Sequence, residues 1–168
     1  MMKKVIVLCA AAALCLSLLS ACGNSGKPEE KKVDLAAFAQ TVQENHEFAS
    51  LDRADPADAE FGAIMLENNY PGLKDLELEQ LEVYLPMVSF SGGELALAQA
   101  KSEDDAAKVK KIFQARIDAK STEGPGNYPE EVEMWQRSAK VVVSGTYVML
   151  VNHGDSEAII SEFNALFS

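Results

Sequence analysis

Two short segments hold the only histidines of the chain, and both stand beside carboxylates. His46-Glu47 reads like the first half of an HExxH helix, where two histidines one turn apart bind zinc and the glutamate acts as base. Ser50 occupies the place of the second histidine. Without that ligand the pair reads as a solvated helix end. His153-Gly154-Asp155-Ser156-Glu157 gathers one histidine and two acids where a helix should begin. Acids in a first turn complement the helix dipole, and this reading is favoured over a metal site. Glu94 could oppose an acid such as Glu82 across a hairpin, and carboxylates held at a fixed separation cleave glycosides. A chain with 26 acids offers such pairs by chance.

The other familiar signatures are missing. There is no G-x-S-x-G elbow or S-x-x-K nucleophile, and no Walker loop or dinucleotide fingerprint. Ser102-Glu103-Asp104-Asp105 lacks the alternating ligands and turn glycine of a calcium loop. The sequence therefore names no catalytic, cofactor-binding or metal-binding residue. Tyr128 and Trp135 flank a Gly/Pro-rich loop, and Tyr70 sits at another turn. Amphipathic aromatics near loops are common at recognition surfaces, which makes these three the candidate interaction surface.

One residue carries covalent chemistry of another kind. Lys3 and Lys4 precede an apolar run from Val5 to Leu19. These are the charged and hydrophobic regions of a secretory signal, and the run is shorter than the roughly 20 residues a membrane-spanning helix needs. Leu19-Ser20-Ala21-Cys22-Gly23 follows. It resembles the lipobox of bacterial lipoproteins, in which diacylglycerol joins the cysteine thiol and the chain is cut just before it. The expectation is a signal peptide over 1–21, a lipidated Cys22 with a flexible tether over 22–33, and a single domain over 34–168. Cys9 and Cys15 would leave with the signal, so the mature chain would have no second thiol for a disulfide.

Removal of Lys3 and Lys4 would leave 13 basic against 26 acidic residues, moving the formal charge from −11 to −13. Such a domain is repelled by phosphate backbones and anionic headgroups. Nucleic acid is excluded as a partner, and membrane contact is expected through the lipid alone. The tether, GNSGKPEEKK from Gly23, has too little apolar surface to order itself. Ten residues at about 3.3 Å each reach at most about 35 Å.

The elements that must position any site follow from periodicity. Asp34 caps a helix whose apolar face is Leu35, Phe38, Ala39 and Val42. A second helix is expected from about Asp58 to Glu67, with Phe61, Ile64 and Met65 inward, ended by Asn69-Tyr70-Pro71-Gly72. Leu81, Val83, Leu85 and Met87 alternate as a strand, Ser91-Gly92-Gly93 supplies a turn, and Glu94 to Ala100 returns. Ser102 and Asp105 form a capping box for a helix with Val109, Ile112, Phe113 and Ile117 inward. After the loop 121–129 comes a short helix over about 130–137. A hairpin around Ser144-Gly145 and a last helix with Ile159, Ile160 and Phe163 inward complete the chain. The expected fold is α+β: a four-stranded, mostly antiparallel sheet with helices packed on one face, preceded by N-terminal helices.

This plan is similar to a family of bacterial lipoproteins from gut-type, mostly Gram-positive species, the domain-of-unknown-function family 4358. The resemblance runs from about Leu76 to Val151. It rests on the strand around Val83-Tyr84, on Gly93-Glu94-Leu95-Ala96-Leu97-Ala98-Gln99-Ala100-Lys101, on the acid-led helix ending in Arg116, on Tyr128-Pro129, and on Gly145-Thr146-Tyr147-Val148. It implies the fold and the extracytoplasmic address and supplies no activity. Related chains tend to carry Ala-Asp/Glu-Glu-Ile where this one has Gly93-Glu94-Leu95-Ala96, so no role for that extra acid carries over.

Together these observations predict a lipid-anchored protein on the outer face of the cell membrane, acting as a non-enzymatic binding or interaction module. Its partners would be the membrane through the anchor and an envelope protein or cell-wall component, with no cofactor. The alternative is a cell-envelope hydrolase using paired carboxylates.

Overall fold

The structure, a computed structural model, describes residues 32–86, 93–122, 124 and 128–168. Cys22, the signal and tether segments up to residue 31, Met87 and the turn residues Ser91-Gly92 lie outside the described residues. Among the described residues there are five α-helices: α1 (Leu35–Asn45), α2 (Gly62–Asn69), α3 (Glu103–Lys120), α4 (Pro129–Ser138) and α5 (Ser156–Ala165). Five strands, β1 (Leu51–Arg53), β2 (Leu78–Pro86), β3 (Glu94–Ala100), β4 (Ala139–Ser144) and β5 (Tyr147–Asn152), form one antiparallel sheet in the order β1-β2-β3-β5-β4. The α+β class holds, with five strands where four were expected. The extra strand, β1, is three residues long and pairs only at the edge, Asp52 against Leu85. Three residues are too few to show alternation. Among the described residues no helix is long and apolar enough to cross a membrane.

Local signals fix the helix starts. Asp34 accepts the Ala37 amide at 3.0 Å, and Ser102 accepts the Asp105 amide at 3.1 Å while donating to the Asp105 carboxylate at 2.8 Å. The start of α2 is later than expected. Asp58 accepts the amides of Glu60 and Phe61 at 3.0 and 3.2 Å, so the chain turns there before the helix begins. Gly62 then packs against the Asp55 backbone so closely that a Cβ would lie 1.9 Å from its carbonyl oxygen. The delay rotates the inward face: Leu66 is buried, while Phe61 and Ile64 are exposed.

The central strands β3 and β5 are buried on both faces, so the sheet has two cores. Leu95, Leu97, Tyr147, Met149 and Val151 face α1 and α5, packing with Leu35, Phe38, Val42, Ile159 and Phe163. Ala96, Ala98, Ala100, Val148 and Leu150 face α2, α3 and α4, packing with Leu66, Val109, Phe113, Ile117 and Trp135. Helices thus cover both faces and not one. Phe113 and Ile117 of α3 lie against the alanine face, while α1 and α5 cover Leu95 and Leu97. Side-chain size on β3 divides the faces: alanines let α3 approach closely, and the leucines fill the opposite core.

Phe113 and Phe163 are both fully buried. Each truncation to alanine should cost about 3–5 kcal/mol. Because the two rings sit in separate cores, the double variant should equal the sum of the singles to within about 0.5 kcal/mol. Urea titrations check this, with the exposed Lys110→Ala as a near-neutral control; clear non-additivity would contradict the two-core arrangement.

Candidate functional site

Glu94 opens the mostly apolar strand β3 and is fully buried. Strand alternation points it to the Ala96 side, the α3 face. There Arg116 of α3 meets it in a two-pronged pair, Nε to Oε1 at 3.0 Å and Nη2 to Oε2 at 2.7 Å. Tyr70, which ends α2, donates its hydroxyl to Glu94 Oε1. The guanidinium lies 5.4 Å from the ring centre of Trp135 and 5.9 Å from that of Tyr70. A planar cation between two aromatic faces and a carboxylate is a well-matched setting for arginine. Burial works against the charge on Arg116, but Glu94 outweighs it and holds the guanidinium above its ordinary range.

One helical turn beyond Arg116, Lys120 pairs with Glu131 of α4, Nζ to Oε1 at 2.6 Å. These groups border a cavity of about 150 Å³ between β2, β3, α2, α3 and α4, with Met65, Leu85, Pro86 and Trp135 as its apolar walls. Two acids and two bases balance its charge. The second carboxylate oxygen of Glu131 is buried with no partner among the described residues. So are both polar atoms of the Asn152 amide, on the residue directly opposite Glu94 in the β3–β5 ladder. Buried polar groups are nearly always hydrogen-bonded, so the Glu131 oxygen in the cavity wall calls for a donor, while the Asn152 amide calls for one donor and one acceptor.

The aromatic residues expected at a surface divide. Tyr70 and Trp135 are buried around Arg116, whereas Tyr128 is 51% exposed. The carboxylate pair expected across the hairpin is not formed. Glu82 lies on the α1 side, opposite Leu97 in the ladder, and is held by Arg53 at 2.7 and 3.0 Å and by the Tyr84 hydroxyl at 3.0 Å. Glu82 and Glu94 therefore occupy opposite faces of the sheet, each committed to its own arginine. The two histidine segments do come together: His46 at the end of α1 and His153 beside α5 have ring centres 6.1 Å apart.

Arg116, Lys120 and Glu131 were not singled out as site residues by sequence. The signal existed for the first two. Ile112, Arg116 and Lys120 recur every fourth residue along the inward side of α3, so two cations replace apolar residues on a buried stripe. A lone acid in an apolar strand is the complementary signal.

An antiparallel α+β sandwich with a buried, charge-balanced cavity on one face is the class that fold and site define. The family model described as domain of unknown function 4358 matches residues 55–153, well over half of the chain, and the protein belongs to that family. The match begins earlier than the resemblance read from sequence, so it takes in α2 and Tyr70 and contains every cavity residue named above. No curated protein and no solved structure matches the chain.

Burial first, and then the neighbouring Glu94 charge, push the Tyr70 hydroxyl well above its ordinary range. Burial also raises Tyr84, to about 12. Above about pH 10 the unfolded chain releases tyrosine protons that the folded protein keeps. The folded state then binds more protons, so stability is complete below that pH and falls as pH rises through the interval up to the folded values. Tyr70→Phe should be less stable at neutral pH, and its urea midpoint should fall less steeply with alkali. Equal alkaline slopes in the two proteins would contradict the placement of the Tyr70 hydroxyl.

Proposed function

We propose that the protein is an extracytoplasmic lipoprotein, anchored through Cys22, whose domain is a non-enzymatic module binding a small polar ligand in the Glu94–Glu131 cavity. The address rests on the charged, apolar and Leu-Ser-Ala-Cys segments of the N-terminus. The binding role rests on one observation above the others, the unpartnered Glu131 Oε2 within a cavity whose other charges are paired. That oxygen calls for a donor such as an ammonium or amide N–H. A volume of about 150 Å³ lies below the roughly 300–1,000 Å³ of pockets for drug-sized ligands, so the ligand is a compact molecule or a single protruding group of a larger one. Hydrolysis by Glu82 together with Glu94 loses support, because the two lie on opposite sheet faces and cannot flank one bond.

The test uses full-length protein extracted from native membranes with its lipid retained. After denaturation, mass spectrometry should find a small amine- or amide-bearing compound in near-stoichiometric amount, and the compound should be lost from Glu131→Gln. Wild-type and variant protein both without such a compound would contradict the binding role. Cys22→Ala should lose radiolabelled fatty acid; label still attached to that variant would contradict the anchor.

A further inference from the structure

We propose a second site, a divalent transition-metal centre formed by His46, His153 and Asp155. It is separate from the cavity, lying where the end of α1 meets the start of α5. One ligand atom from each of the three residues lies within 4.8 Å of the others. An ion bound tetrahedrally at about 2.0–2.1 Å needs its ligand atoms about 3.4 Å apart. The His46–Asp155 pair already has that spacing, with Asp155 Oδ2 3.3 Å from His46 Nδ1, so any closing of the set onto an ion is a movement of His153 relative to these two.

The hydrogen bonds around the two rings carry the argument. His46 faces carboxylates on both nitrogens, Asp155 Oδ2 at 3.3 Å from Nδ1 and Glu162 Oε1 at 3.2 Å from Nε2. A neutral imidazole has one N–H to donate, so one nitrogen would present a lone pair to an anionic oxygen unless a positive charge lies between them. His153 has the Glu47 carbonyl 3.2 Å from Nε2 and directs Nδ1 to Asp155, whose amide donates to it at 3.0 Å. Metal-binding histidines typically give their remote N–H to a carboxylate or a backbone carbonyl, which fixes the tautomer and aims the other nitrogen at the ion. Both rings have such a partner: Glu162 for His46 and the Glu47 carbonyl for His153. His46 then turns Nδ1 toward the Asp155 carboxylate, and His153 turns Nδ1 toward the Asp155 backbone amide.

The rings are also held in place before any ion arrives. The His46 side chain is only 9% exposed, and Phe48 packs on His153 with ring centres 4.3 Å apart. Binding would exchange the Asp155 amide contact of His153 for a metal bond. Two imidazoles and one carboxylate suit zinc-class ions and not calcium or magnesium, which prefer all-oxygen shells. Three protein ligands leave a fourth position for water or for a group from another molecule. His46 and Asp155 lie outside the family-matched segment and His153 is its last residue, so most of this centre belongs to the flanking helices.

Full-length protein in detergent, stripped of metal, is titrated with zinc by calorimetry and with cobalt by visible absorption. Wild type should bind one equivalent with micromolar or tighter affinity, and the cobalt form should show the intense ligand-field bands of a four-coordinate ion. His46→Ala and His153→Ala should each weaken binding at least a hundredfold. Glu162→Gln, which alters only the partner of His46, should weaken it by roughly 10–100-fold. Asp155→Asn keeps folding out of the comparison, because this side chain makes no capping bond to α5; it should also lose the four-coordinate cobalt bands. Wild-type protein that binds less than one equivalent, or an Asp155→Asn variant with unchanged zinc affinity and cobalt spectrum, would overturn the proposal.

Discussion

The ion pair between Glu94 and Arg116 is the constraint around which one half of the molecule is arranged. A charge on a central strand loses its hydration, and its Coulomb partner offsets that loss only when geometry and hydrogen bonding are good. Here the carboxylate takes two guanidinium donors and one phenol, drawn from α3 and the end of α2, while Trp135 of α4 covers the cation. Three helices thus meet at one buried acid. The alanines at Ala96, Ala98 and Ala100 are the packing counterpart, since they give α3 the room to bring Arg116 to the sheet. The Lys120–Glu131 pair then extends the charged seam one helical turn further and forms the cavity wall.

The opposite face follows different rules. Its core is apolar, with Leu95, Leu97, Met149, Phe38 and Phe163 interlocked and Phe38 and Phe163 5.8 Å apart between ring centres. Charge on that face is confined to the margins, in the Arg53–Glu82–Asp55 group and in the carboxylates around His46. The two faces therefore offer chemically different sites. One is an enclosed pocket with balanced charges; the other is a half-open cluster of imidazole and carboxylate on an acidic surface, where a cation is electrostatically favoured.

Much of this was legible in the sequence where a rule acts over a few residues. The Asp34 and Ser102 caps, the α3 stripe, the β4–β5 hairpin at Gly145 and the α+β class all follow from local spacing. Long-range choices were not legible. Period-two alternation shows that Leu95 and Leu97 share a face without saying which helix covers it, and α1, sixty residues earlier, proved to be the cover. The phase of α2 depended on a side-chain turn at Asp58 and a close approach at Gly62, neither of which hydrophobic spacing records. Glu94 stood out as an acid, but its partner could be found only once α3 was placed over the alanine face. His46 was discounted for want of a second histidine one turn on, and His153 because acids in a first helical turn are ordinary dipole complementation; a contact across more than a hundred residues has no local signature.

The central claim, that the Glu94–Arg116 pair fastens α3 to the sheet as one cooperative unit, is tested most directly by a double-mutant cycle in urea. Glu94→Leu and Arg116→Met should each lose about 3–5 kcal/mol, because each leaves the other charge buried and alone. The double variant, with both charges replaced by apolar groups, should recover a large part of that loss. Single variants within about 0.5 kcal/mol of wild type, the range for surface positions, or a double variant equal to the sum of the singles, would contradict the account.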